Sequence, residues 1–115
     1  LHKKIYVCSP LRGDIEGNII KAIDYCKQIT HKGFLPIAPH IYLTRFLNDN
    51  NPDERNLGLR LGIELLNICD ELWFFSKTNN DISEGMHKEI EHCFIKNITV
   101  KNGFFELGNG GEINA

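Results

Sequence analysis

No Gly-x-Gly-x-x-Gly run and no lysine-bearing phosphate loop occurs in the 115 residues, which counts against dinucleotide and nucleoside-triphosphate binding. The four cysteines, Cys8, Cys26, Cys69 and Cys93, never fall at Cys-x-x-Cys spacing, so each reads as core packing rather than as a metal ligand. His87 and His92, five apart, project from different faces of one helix and share no ligand edge; neither a metal nor a cofactor is expected. Basic runs are also missing. With a net charge of −2 and an isoelectric point near 6.2, the chain has no electrostatic footprint for a nucleic-acid polymer. No apolar stretch approaches bilayer-spanning length, and the first residues lack the charged-then-apolar pattern of a secretory leader, so neither membrane insertion nor export is expected and a cytoplasmic location is the default. Repeats, linkers and low-complexity inserts are absent too.

What is present is one domain's worth of chain, 42% hydrophobic, in which short apolar runs alternate with helical periodicity. Lys4 to Cys8 reads as a first strand, followed by the turn Ser9 to Asp14. A helix from Ile15 to about Lys32 comes next, with Ile19, Ile23, Cys26 and Ile29 on one face and Gly33 at its end. Phe34 to Ala38 is a second strand, confined by Pro36 to an edge or to an early finish. Residues 41–51 read as irregular or as a short helix. Pro52 then opens a helix reaching about Ile68, with Leu57, Leu61, Leu65 and Ile68 as its apolar face. Gly58 and Gly62 leave room for another backbone to approach. A third strand spans Asp70 to Phe75, a helix begins at Ser83, and a short last strand covers Ile98 to Lys101. The fold expected is α/β: a single-domain open, mainly parallel sheet of about four or five strands with helices on both faces, flavodoxin-like or Rossmann-like. The domain is drawn over residues 1–103, with a flexible tail over 104–115.

In such a sheet, ligands bind beyond the carboxyl ends of the strands. That edge collects Ser9, Pro10, Arg12 and Gly13 from the first loop, His40 from the second, and Asp81, Ser83, Gly85 and Met86 around the third. Asp70 starts its strand and so belongs at the opposite rim. Arg12 and Gly13 sit between a strand and a helix, where a bare turn and a guanidinium fork can hold a phosphate or carboxylate; equally, Gly13 permits the turn and Arg12 pairs with an acid such as Asp14.

Ser83-Glu84-Gly85-Met86-His87-Lys88-Glu89 is the most informative stretch, a polar turn leading into a helix just after Leu72-Trp73-Phe74-Phe75. With Ser83 as the N-cap, its hydroxyl bonds a first-turn amide and leaves other donors free. Met86, Ile90, Cys93 and Phe94 form the apolar stripe, and Glu89 falls at its boundary, roughly 80° from the centre at about 100° per residue. Helical side chains lean toward the N-terminus, so Glu89 reaches back over the turn containing Gly85, where no side chain blocks a sugar. A surface carboxylate near the favourable end of a helix dipole would satisfy the same spacing.

Tyr6-Val7-Cys8-Ser9-Pro10-Leu11-Arg12-Gly13, together with Gly85-Met86-His87-Lys88-Glu89 after an Asp-led apolar strand, resembles the nucleoside 2-deoxyribosyltransferase-like superfamily. That group includes deoxynucleoside-monophosphate N-glycosidases and several small uncharacterised families. The similarity runs to about Val100. It implies cleavage or transfer of the N-glycosidic bond of a (deoxy)nucleoside or nucleotide, with Glu89 attacking the anomeric carbon and Tyr6 orienting it. By the same resemblance Arg12 and Gly13 border the nucleoside or its phosphate, and Ser83 with adjacent backbone cradles a 5′-phosphate or hydroxyl. His40 and Asp81 complete the pocket by loop placement alone. A homodimer or higher homo-oligomer is implied by the superfamily's habit of completing sites across subunits. The chain departs at one position: family members carry an aspartate, serving the departing base, near the place that Gly62 occupies here, while Arg60 and Glu64 are close only in sequence. That departure keeps a second class open, a nucleotide-binding or regulatory module without turnover. A flavin carrier fits less well, because no aromatic pair flanks the loops.

Overall fold

The computed structural model describes residues 1–108 and arranges four parallel strands in the order β2-β1-β3-β4, where β1 is Lys4–Cys8, β2 Leu35–Ile37, β3 Glu71–Phe74 and β4 Thr99–Asn102. All-parallel pairing requires a crossover between successive strands. These are supplied by α1 (Ile15–His31), α3 (Pro52–Asn67) and α4 (Glu84–Lys96), with the short α2 (Pro39–Tyr42) ahead of α3 and α5 (Gly103–Glu106) after β4. The α/β architecture and the edge position of the Pro36 strand are as expected. The strand order reverses direction between β1 and β3, the point at which open sheets form a crevice above their carboxyl ends.

Alternation along β1 and β3 splits the core into two layers. Tyr6, Cys8 and Leu72 face α3 and α4, meeting Leu66, Met86 and Cys93. Ile5, Val7, Trp73 and Phe75 face the other way, onto Ile29, Tyr25 and Phe104 of α1 and α5. Phe75 stacks on Tyr25 at 4.0 Å between centroids and meets Phe104 edge-on at 5.4 Å. Local chemistry starts each long helix. Asp14 accepts from the amide of Gly17, Asn51 from those of Asp53 and Glu54 ahead of an N-terminal proline, and Ser83 from that of Met86.

The lower rim of the sheet is tied by acids. Asp70 accepts from the Lys4 amide at 2.7 Å, the bonding role its position implies. Glu71 is buried and takes Lys3 at 3.1 Å, Lys101 at 3.3 Å and the Trp73 indole at 2.8 Å. Burial alone pushes its carboxyl up, but the hydrogen bonds from Trp73, Lys3 and Lys101 outweigh it and the net shift is downward.

Two helix faces differ from expectation. In α3 the inward residues are Gly62 and Leu66, while Leu57 and Ile68 of the expected apolar stripe are 36% and 58% exposed. The sheet lies so close that glycine, not leucine, meets it: a Cβ at Gly62 would stand 3.1 Å from the Tyr6 hydroxyl. In α4 the buried set is Met86, Glu89 and Cys93, and Phe94, expected in the stripe, is 71% exposed. The helix is rotated by about one residue, which carries Glu89 from the boundary onto the buried face.

The domain boundary drawn at residue 103 meets ordered structure on both sides. Gly103 begins α5, Phe104 packs on Phe75, and Leu107 is buried, so residues 104–108 of the expected tail are part of the fold; residues 109–115 lie outside the described residues. A methyl group at Gly103 would collide with the Phe75 ring. Gly103→Ala is expected to lower unfolding stability by about 1–3 kcal/mol, the cost of overpacking a filled core. Urea unfolding measures it, and an unchanged midpoint would show that α5 does not clamp the second core.

Candidate active site

The crevice at the β1/β3 junction is built from two adjoining cavities that meet at Glu89. One is apolar, walled by Leu11, Pro39, Leu43, Leu47 and Leu59, with Tyr6 and Gly62 on its floor. The other, bounded by Ser9, Arg12, Ser83 and Gly85 where the first loop faces the start of α4, adds hydrogen-bonding groups to a wall that is still mostly apolar, with Pro10, Leu11, Leu59 and Met86. His40, Asp49, Arg55 and Glu89 line both.

Glu89 is only 7% exposed, and its Oε2 accepts the Tyr6 hydroxyl proton at 2.6 Å. The pairing follows from register: Tyr6 is an even residue of β1, projecting toward α4, and Glu89 is on the α4 face that rests on β1. Desolvation raises the Glu89 pKa to about 7, opposed by donation from Tyr6 and from the Cys8 thiol. Burial and the Glu89 charge push Tyr6 and Cys8 well above their ordinary values, so both remain protonated donors. The carboxylate is therefore held by neutral donors alone and stands close to half-ionised at neutral pH.

The other expected site residues divide clearly. Ser9, Pro10, Arg12, His40, Ser83, Gly85 and Met86 line the cavity between the first loop and α4 with Glu89, and Tyr6 lines the one beside it. Gly13 lines neither; its φ of +97° shows that it serves the turn into α1. Asp81 lies apart, because the 3-10 turn Asn79–Asp81 carries it to a separate cleft with Lys21, Tyr25 and Phe104 on the α1 side of the sheet. Arg12 pairs with Asp49 at 3.2 Å, while Asp14, considered as its partner from the sequence, caps α1 instead. His40 is lowered from its usual value by burial, against a hydrogen bond with the Ser9 backbone and the Asp49 charge. Ser9 Oγ is buried with no hydrogen-bond partner among the described residues, an open polar group on the crevice wall.

Asp49, Arg55, Leu59 and Cys8 were not legible as site residues. Arg55, Gly58, Leu59 and Gly62 recur at the spacing of one helix face, and the two glycines were the available sign that this face looks inward. Arg60 and Glu64 are exposed, away from the crevice. No helix among the described residues is long and apolar enough to cross a membrane.

A family model described as Domain of unknown function (DUF7768) matches residues 3–103. No curated protein matches the chain. Among solved structures, a 2-deoxyribosyltransferase from the psychrotolerant bacterium Bacillus psychrosaccharolyticus superposes with a TM-score of 0.67 at 16% sequence identity, covering 84% of this chain and 69% of that one. The two proteins share a fold.

Because Glu89 titrates near 7 in the folded state and from 4.5 in the unfolded chain, the folded protein binds its proton more tightly. This contribution to stability is complete below about 4.5, is lost as pH rises through about 7, and is level beyond. Glu89→Gln is expected to abolish that slope and to be more stable than the parent at pH 8 by about 2–3 kcal/mol. Chemical denaturation at pH 5 and pH 8 reads the difference, and equal stabilities at pH 8 would show that Glu89 is not held in a desolvated site.

Proposed function

We propose that this chain, which belongs to the family described as Domain of unknown function (DUF7768), breaks or transfers the N-glycosidic bond of a (deoxy)nucleoside or nucleotide through Glu89 as nucleophile. The observation that carries the reading is the buried Glu89 carboxylate, fixed by Tyr6 at 2.6 Å where two adjoining cavities meet. A base fits among Leu11, Pro39, Leu43, Leu47 and Leu59. The sugar, with any 5′-phosphate, fits against Ser83, Gly85 and Arg12, near the amides that open α4. The anomeric carbon then lies over Glu89. Kinship of fold with a 2-deoxyribosyltransferase agrees with this placement.

Tyr6 engages Oε2 and leaves the other carboxylate oxygen to attack C1′. As that C–O bond forms, the C1′–N bond breaks and its electron pair passes to the base, giving a covalent sugar–enzyme ester. A second base attacking C1′ gives exchange, and water gives hydrolysis. Only the ionised carboxylate attacks, so the raised pKa places a limit on activity in acid.

Incubation with a panel of deoxynucleosides, ribonucleosides and their monophosphates, with chromatographic detection of free base, tests the reading. Release by the wild type and none by Glu89→Ala is expected. The pH dependence of kcat/KM should rise through about 7, and Tyr6→Phe should move that limb to higher pH, since it removes a donor favouring the charged form. Thermal stabilisation by a nucleotide with no base released from any substrate would contradict the reading and leave a binding module on the same fold.

A further inference from the structure

If Glu89 expels a base, something must receive the charge that develops on it, and of the other carboxylates lining the crevice Asp49 is ion-paired to Arg12, Glu54 accepts from the Asn48 amide, and Glu84 stands at the exposed start of α4. The α3 residue nearest the Tyr6–Glu89 pair is Gly62, whose Cβ position lies 3.7 Å from Glu89 Oε2 and carries no functional group. The remaining polar groups are largely committed. Tyr6 donates to Glu89, Arg12 is paired with Asp49, Ser83 caps α4, and Glu54 accepts from the Asn48 amide at 2.6 Å. His40 is held toward its uncharged form by burial.

Arg55 is different. It is half-buried and lines both cavities, and no ion pair or side-chain hydrogen bond among the described residues engages its guanidinium. It precedes Gly62 by seven residues, two turns along the same inward face of α3, with Gly58 and Leu59 between. A guanidinium remains charged at every working pH and donates without losing a proton. A permanent cation facing the junction of base and sugar sites suits negative charge that exists only during bond breaking.

We infer that Arg55 is a catalytic residue that stabilises the departing base as an anion, in place of an acid that would protonate it. The inference rests on the reading of Glu89 as nucleophile. The balance is simple. Attack by Glu89 places the C1′–N electron pair on the ring nitrogen, and Arg55 holds that charge without proton transfer. In the second half, water attacks C1′, the C1′–O bond to Glu89 breaks, and its electrons return to the carboxylate. The proton released by water ends on the base, which leaves neutral.

The role predicts dependence on leaving-group acidity. Deoxyribosides of uracil, 5-fluorouracil and 4-nitrophenol, each with and without a 5′-phosphate, would be assayed with wild type, Arg55→Ala and Arg55→Lys, and the melting temperature recorded for each. Arg55→Ala is expected to lose kcat by about 10²–10³-fold on the uracil compound, less on 5-fluorouracil and least on 4-nitrophenolate. Arg55→Lys should recover part of the loss. A loss in kcat of the same size across the three leaving groups would overturn the role while leaving the Glu89 reading intact. So would a loss confined to KM for the phosphorylated forms, which would make Arg55 a phosphate contact. Wild-type turnover of none of the six compounds or of the wider nucleoside panel would overturn the Glu89 reading and this inference with it.

Discussion

The hydrogen bond from Tyr6 to Glu89 is the contact on which the rest of the architecture turns. It joins the central strand β1 to α4 across the sheet face and fixes a carboxylate within a layer otherwise made of Leu66, Leu72, Met86 and Cys93. Burying a carboxyl group against leucine and methionine is costly unless it is protonated or bonded. Glu89 draws on both remedies, taking a proton near neutrality and a phenolic donor at all times. A core designed only for stability would place a hydrophobe there.

The two buried glutamates of the sheet show how environment sets role. Glu71, at the amino end of β3, is surrounded by Lys3, Lys101 and the Trp73 indole, and its carboxyl is pulled below the usual range. It stays ionised and ties three elements together. Glu89, set against Tyr6 on the α4 face of the sheet, meets only neutral donors and is pushed up to about 7. One acid is balanced by cations and shifted down, whereas the other has only neutral donors against its burial and is shifted up.

Much of this was readable before any coordinates. The strand β1, the Ser83 cap and the parallel sheet follow from local patterns, and Tyr6 and Glu89 were picked out by the residues around them. The helix faces were less legible. Periodicity favoured Leu57, Leu61, Leu65 and Ile68 in α3, yet the sheet approaches so closely that Gly62 takes the inward position and carries Arg55 into the crevice. The bulkier stripe hid Arg55, which lines both cavities. Asp49 was hidden for another reason: it lies on an irregular connection with no period to read, and only folding brings it to Arg12. Asp81 was placed by loop membership, which does not reveal the side of the sheet on which a turn emerges.

The two cavities also account for the division of labour along the chain. The first loop and the start of α4 frame one cavity, α2 and the turn after it wall the other, and α3 closes the floor, so every crossover of the sheet contributes. The most direct measurement is mass spectrometry of the protein after incubation with a slow 2-fluoro-sugar nucleoside, which lets the ester form but delays its hydrolysis. The account predicts a sugar adduct on the peptide containing Glu89, absent in Glu89→Gln. Turnover of the natural substrate without any adduct at Glu89 would contradict it.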